Sequence, residues 1–133
     1  MKRTRLKRQS PRETRRLELK ADRLWALVIL SFTGNRCAKC GRRGCQAAHI
    51  LPRSHKHWRH HPKNGIPLCP RHHSEADQNQ GEFHEWLLTT YPDRLAMLAY
   101  QREDRGPVKA WMLRERIKEL TAALAESKKQ GSK

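Results

Sequence analysis

Two short motifs set the chemistry this chain could perform. Cys37-x-x-Cys40 and Cys69-x-x-His72 each place two soft ligands on one tight turn, and together they make the four-ligand set that tetrahedral zinc takes in closed structural sites. Cys45, five residues past the first pair, is an alternative fourth ligand, although the paired spacing favours His72. Around these motifs the charge is one-sided. Between Asp22 and Glu75 lie 52 residues with ten Lys or Arg and no carboxylate, and residues 49–73 hold seven of the eight His. A solvated basic loop would explain that composition. It also suits phosphate, because imidazole can act as a neutral base near pH 7 or as a metal ligand.

The rest of the composition agrees with a metal-braced nucleic-acid protein. The chain has 133 residues, one domain's worth, and its 29 Lys and Arg against 13 Asp and Glu give a net charge of +16. Leu, Ile, Val and Phe make up less than a fifth of it, too few for a large core, so a bound metal, a disulfide set or a partner must help it fold. Residues 1–20 carry nine basic side chains ahead of the apolar run Leu24–Phe32, which imitates a signal peptide. The charged part is too long, contains Glu13 and Glu18, and leads to Thr33-Gly34-Asn35-Arg36 instead of a small-residue cleavage site. The run is also too short to span a bilayer. A cytoplasmic protein with no membrane partner is expected, and in that reducing compartment zinc is favoured over disulfides.

Taken in order, Cys37-x-x-Cys40, Ala48-His49-Ile50, Asn64 and Leu68-Cys69-x-x-His72-His73 resemble the HNH endonucleases, over roughly residues 36–95. The likeness is closest to the phage recombination-associated members, which continue with a Trp and a Pro-x-Arg, here Trp86 and Pro92-Asp93-Arg94. The resemblance implies a ββα-metal core, a hairpin plus helix braced by zinc, and a metal-dependent DNA endonuclease that hydrolyses phosphodiester bonds. His49 matches the general base; a further zinc ligand or a buried histidine is the alternative. Asn64 matches the residue that holds the hairpin loop, although Asn64-Gly65 is also an ordinary turn signal. His73 matches a ligand of the catalytic divalent cation, Mg²⁺ or Mn²⁺. The pattern departs at Ala48, where the family often has a cation-binding Asp or His. Asp77, four residues after His73 on the same helical face, could supply the missing ligand or be a surface acid.

Arg53 and Arg59 could clamp the phosphate or contact the DNA backbone, and Trp58 could stack on an unpaired base or anchor the core. With Lys39, Arg42 and Arg43 they form the candidate DNA-binding set, for double-stranded or branched DNA, by a monomer or a homodimer. A catalytically inactive, zinc-stabilised nucleic-acid-binding module is the rival, with Ala48 as its main support.

These residues need a scaffold, and the pattern predicts an α+β, mainly helical fold in which a small ββα core with structural zinc is flanked by a long N-terminal helix and C-terminal helices. Residues 1–9 read as a disordered basic arm, 10–126 as one domain with the HNH core at about 36–80, and 127–133 as a disordered tail. Ser10-Pro11-Arg12-Glu13 reads as a helix start, and Leu17, Ala21, Leu24, Val28 and Phe32 carry the stripe to a stop at Gly34. Short strands are expected at 47–51 and 66–68 and helices at 70–78, 82–90 and 93–101. A last amphipathic helix opens at Gly106-Pro107, burying Val108, Trp111, Leu113, Ile117, Leu120 and Leu124. It could brace the fold or make a dimer contact. Trp25, Trp86 and Trp111 are expected in the core.

Overall fold

Helix α1 (Pro11–Phe32) starts where the capping signal lies: the Ser10 hydroxyl accepts a hydrogen bond from the Glu13 amide and Pro11 occupies the first turn. Its end is equally local, since Thr33 donates its hydroxyl to the Ile29 carbonyl at 2.7 Å, and Gly34 and Asn35 turn the chain with φ of 68° and 58°. The structure, a computed structural model, describes residues 10–100 and 106–131; the basic arm at 1–9 lies outside them. Strands β1 (Gln46–His49) and β2 (Gly65–Leu68) pair antiparallel, with Gln46 opposite Leu68 and His49 opposite Gly65. A short 3-10 turn at Pro62–Asn64 leads into β2. Helices α2 (Pro70–Gln78), α3 (Gln80–Thr90), α4 (Pro92–Tyr100) and α5 (Ala110–Gly131) follow. Mainly helical with one small sheet, this is the expected fold class, and among the described residues no helix is long and apolar enough to cross a membrane.

Two cores divide the work. One collects Ala48, Ile66 and Leu68 of the hairpin with Ala76, Phe83, Leu87 and Leu95 of α2, α3 and α4, and includes Cys37 and Cys69. The other packs α1 along α5 through Ala21, Trp25, Val28, Ile29 and Leu120, extended by Leu17, Ala110 and Leu113. The apolar stripe of α5 is thus spent on α1, as a brace. Removing a Leu or Val of this kind from water contributes about 1.5–3 kcal/mol.

Two expectations are corrected here. Trp111 is 57% exposed, because it lies across the helix from the stripe formed by Leu113, Ile117, Leu120 and Leu124. The tail is not disordered from Ser127: α5 runs through Gly131, and Ser127 is buried, with its hydroxyl 2.6 Å from that of Ser31 on α1. Packing against α1 supplies the order that composition alone does not predict.

Gly65 also has a different role from the turn signal it resembles. Its φ of −143° is ordinary extended backbone, so handedness does not require glycine. Close approach does: a Cβ there would lie 2.5 Å from Trp25 Cζ2 and 2.9 Å from Ile29 Cδ1. Gly65→Ala is therefore expected to destabilise the protein by about 1–3 kcal/mol, read as a lowered urea midpoint, by forcing Trp25 and Ile29 off the hairpin.

Candidate metal centre and active site

The knuckles close on one another as their spacing predicts. Cys37, Cys40, Cys69 and His72 bring one ligand atom each to within 4.8 Å of all the others. His72 Nδ1 lies 3.5 Å from Cys37 Sγ and 3.2 Å from Cys69 Sγ, and Cys40 Sγ lies 3.9 Å from Cys69 Sγ. A tetrahedral zinc site has sulfur–sulfur edges of about 3.8 Å and sulfur–nitrogen edges of about 3.5 Å, so these four residues fit a structural zinc ion. Burial pushes the Cys37 thiol up, but amide N–H groups of Cys69, Cys40 and Lys39 and the His72 ring outweigh it and bring it down to about 6, toward the thiolate a metal needs. Cys45 stands beside this set and outside it, buried, with its thiol donating to the Arg42 carbonyl. Its amide donates to Asn35 Oδ1 at 2.8 Å, which ties the knuckle to the end of α1.

On the hairpin, β1 ends at His49. Trp25 of α1 stacks on the imidazole, with ring centroids 4.0 Å apart and planes 13° from parallel. Nε2 lies 2.9 Å from the Arg59 carbonyl, and because a carbonyl only accepts, Nε2 carries the proton and Nδ1 keeps its lone pair in the neutral ring. Burial first, then the charges of Arg53 and Arg59, push the ring pKa down to about 4, against the raising influence of the Arg59 carbonyl and Asp22. His49 is neutral at pH 7 and is not a zinc ligand.

The loop 50–64 reaches back to the base through a run of three-residue turns, with amide-to-carbonyl bonds His55 to Pro52, Trp58 to His55, His61 to Trp58 and Asn64 to His61. Asn64, 0% exposed, closes it. Its Oδ1 accepts from the Leu51 amide at 2.7 Å, and Nδ2 donates to the carbonyls of Trp58 at 2.9 Å and Leu51 at 3.3 Å. Both polar atoms of the side chain are used on the loop.

Arg59 does not sit where a phosphate clamp must. It is 7% exposed, its Nε and Nη2 donate to Asp22 Oδ1 and Oδ2 at 2.8 and 2.7 Å, and its Nη1 pairs with Glu18 at 3.0 Å. Its donors are committed, so the expectation of a DNA contact is corrected: α1 presents Asp22 and Glu18 to this part of an acid-free loop, and a buried guanidinium takes them. His60 Nε2 donates to the same Asp22 at 2.7 Å, and its Nδ1 accepts from Arg116 of α5 at 3.1 Å. Burial pushes the Asp22 carboxyl up, but the hydrogen bonds and charges of His60 and Arg59 hold it well below the usual carboxylate range.

The other candidate DNA contacts are differently placed. Arg53, Lys39, Arg42 and Arg43 are exposed, and Lys39 Nζ lies 5.0 Å over the Trp86 ring. Trp58 is half-buried, tilted against His61, and lines a cavity of about 330 Å³ between the loop and α5.

On α2, His73 Nδ1 lies 2.7 Å from Gln46 Oε1. The amide oxygen accepts, so Nδ1 donates and Nε2 is the atom left with a lone pair. Gln46 escaped sequence reading, although it shares a strand face with Ala48, two residues on, and a polar residue at that position was its one signal. Ala48 is 3% exposed and offers no ligand, and Asp77 is exposed on α2. Among the described residues the Cys37, Cys40, Cys69 and His72 set alone gathers three or more His, Cys or carboxylate ligand atoms, so Asp77, His49 and His73 do not converge as a second one.

A zinc-fitted pair of knuckles around a two-stranded hairpin, with a helix behind it and a histidine at the end of the first strand, defines a ββα-metal unit. Residues 32–80, less than half of the chain but the whole of that unit, match the family described as HNH endonuclease. The chain shows significant similarity to no curated protein and to no solved structure.

Proposed function

We propose that the protein is a DNA endonuclease of the HNH type, in which His49 activates the water that attacks the scissile phosphorus. The observation that carries this reading is the state of His49: neutral, ring-stacked, with Nε2–H tied to a carbonyl and Nδ1 free to accept a proton. A base must be unprotonated before it acts, and burial beside two guanidinium groups keeps it so. His73 is the residue to hold a divalent cation, through Nε2, with Gln46 fixing the ring from behind as an outer partner does in metal sites. Asp77 is the second candidate ligand. A bound Mg²⁺ or Mn²⁺ supplies charge stabilisation to the phosphate and the leaving oxygen. Arg53, exposed yet close enough to lower the proton affinity of His49, is the cation of this chain best placed for the phosphate. Lys39, Arg42, Arg43 and the basic segment 1–9 add affinity that is independent of sequence.

Branched or recombination-derived DNA is the finer reading of the substrate and rests on the likeness of Trp86 and Pro92-Asp93-Arg94 to phage recombination-associated members. Part of that stretch also has a structural use: Arg94 lies over the Tyr91 ring and donates to the Gly65 carbonyl at 3.3 Å. The second reading, an inactive zinc-braced DNA-binding module, is favoured by one observation, the buried Ala48 where a cation ligand is expected.

Cleavage of supercoiled plasmid and of a branched oligonucleotide in Mg²⁺, Mn²⁺ or EDTA separates the two. Metal-dependent cutting is expected, with the base step lost as the pH falls to about 4, where His49 takes up its proton. The direction follows from the base: protonation below that pH removes the lone pair on Nδ1. Folded, zinc-loaded protein that shifts DNA and never cuts it supports the binding module instead.

A further inference from the structure

The contacts that fix His49 do not all come from the hairpin that carries it. Glu18, Asp22 and Trp25 repeat on α1 at helical spacing and meet the loop 50–64 along one line. Trp25 stacks on the His49 ring and donates Nε1–H to the His61 carbonyl at 2.9 Å. Asp22 and Glu18 grip Arg59, the residue whose carbonyl accepts the Nε2 proton of His49. These three residues lie outside the segment that matches the HNH family.

We propose that Asp22 and Glu18 are positioning residues for His49, acting through the paired Arg59 side chain to hold the Arg59 carbonyl that orients the base and sets its tautomer. The proposal deepens the nuclease reading and rests on it for activity alone. A two-pronged Arg–carboxylate pair fixes direction as well as distance, and here the guanidinium and the accepting carbonyl belong to one residue, so pinning the first restrains the second. The next residue is pinned too, since His60 bridges Asp22 and Arg116. Arg116 in turn donates to the carbonyls of Lys56 and His57. Turns, Asn64, Arg116 and the Trp25 bond hold other carbonyls of the loop, and the Arg59 side chain is held by the α1 carboxylates. Without the α1 carboxylates the Arg59 carbonyl is held less firmly, the imidazole can change tautomer, and the lone pair leaves the attack direction. A displacement of about 1 Å at such a group can lower a rate about 100-fold.

The test uses the full zinc-loaded chain and compares Asp22→Asn and Glu18→Gln with wild type. Histidine ¹⁵N spectra report the tautomer of His49, plasmid cleavage reports kcat, and thermal unfolding reports the fold. Wild type is expected to show a single Nε2–H tautomer. Asp22→Asn is expected to show a mixture, with kcat lowered about 10- to 100-fold at a temperature where it is folded. Glu18→Gln, which leaves the Asp22 pair intact, should show a smaller loss in the same direction and stands in if Asp22→Asn does not fold. A lower melting temperature with unchanged His49 spectrum and unchanged kcat overturns the proposal, because that is the mark of a merely structural ion pair. If wild type does not cut DNA but Asp22→Asn still disturbs the His49 tautomer, the nuclease reading fails and the positioning role stands.

Discussion

His49→Ala is expected to lower metal-dependent DNA cleavage by about 10²- to 10⁴-fold, the range over which a positioned general base contributes, while DNA binding persists. The reason is specific to the atoms involved. Nε2 is spent on the Arg59 carbonyl and the ring face on Trp25, which leaves Nδ1 as the ring atom with a lone pair, the atom at which the proposed base takes its proton. The proposed DNA contacts are exposed cations elsewhere, and alanine removes no charge at pH 7, because the ring is neutral there. The truncation opens space beside Trp25, so unfolding must be measured alongside; His49→Gln, which keeps more volume, is expected to be equally inactive. Loss of DNA binding with loss of cutting would show His49 to be structural, and an active alanine variant would remove it from the mechanism.

Removal of the metal that Cys37, Cys40, Cys69 and His72 are arranged to hold is expected to be the second large effect. Chelation at neutral pH is expected to abolish the cooperative unfolding transition of the hairpin core and the near-ultraviolet signal of Trp86, which packs among Phe83, Tyr91 and Lys39. Structural zinc contributes on the order of 10 kcal/mol in small domains, comparable to the whole stability of a domain this size. Here the loss is concentrated: Cys37 and Cys69 are themselves part of the core with Ile66, Leu68 and Leu87, so uncoordinated thiolates would sit among apolar side chains. Cys69→Ala should behave like the stripped protein. Cys45→Ala should keep its metal, because Cys45 lies outside the ligand set. A chelated chain with an unchanged near-ultraviolet spectrum would refute the structural role of the metal.

Much of this was legible in the chain because it depends on residues close together in sequence. The Ser10-Pro11 start and the Gly34 stop of α1, the Pro70 start of α2 and the two knuckle turns are local events, and local sequence predicts them. Which residue is the fourth ligand was not local. Cys45 and His72 are both plausible by spacing, and it took the β1–β2 pairing to bring Cys69 and His72 onto Cys37 and Cys40.

Arg59 shows where one-dimensional reading stops. A stretch of 52 residues without a carboxylate reads as a basic surface, yet Arg59 is buried, because the acids it needs come from α1, 37 and 41 residues earlier. Trp111 and Ser127 make the same point from the other side, since only the facing surface of α1 decides which side of α5 is covered and how far the helix stays ordered.

By itself, then, the sequence determined the chemical inventory: soft ligands in pairs for zinc, a histidine ahead of a loop closed by asparagine, cations in excess, and helices with readable ends. Ligand type and helix capping are properties of residues and their near neighbours. The tertiary structure alone decided which atoms the inventory brings together, from the Nε2–H tautomer of His49 to the Gln46 partner of His73 and the grip of Glu18 and Asp22 on Arg59. Those depend on helix and strand packing across tens of residues, where the position of a side chain is set by what it packs against.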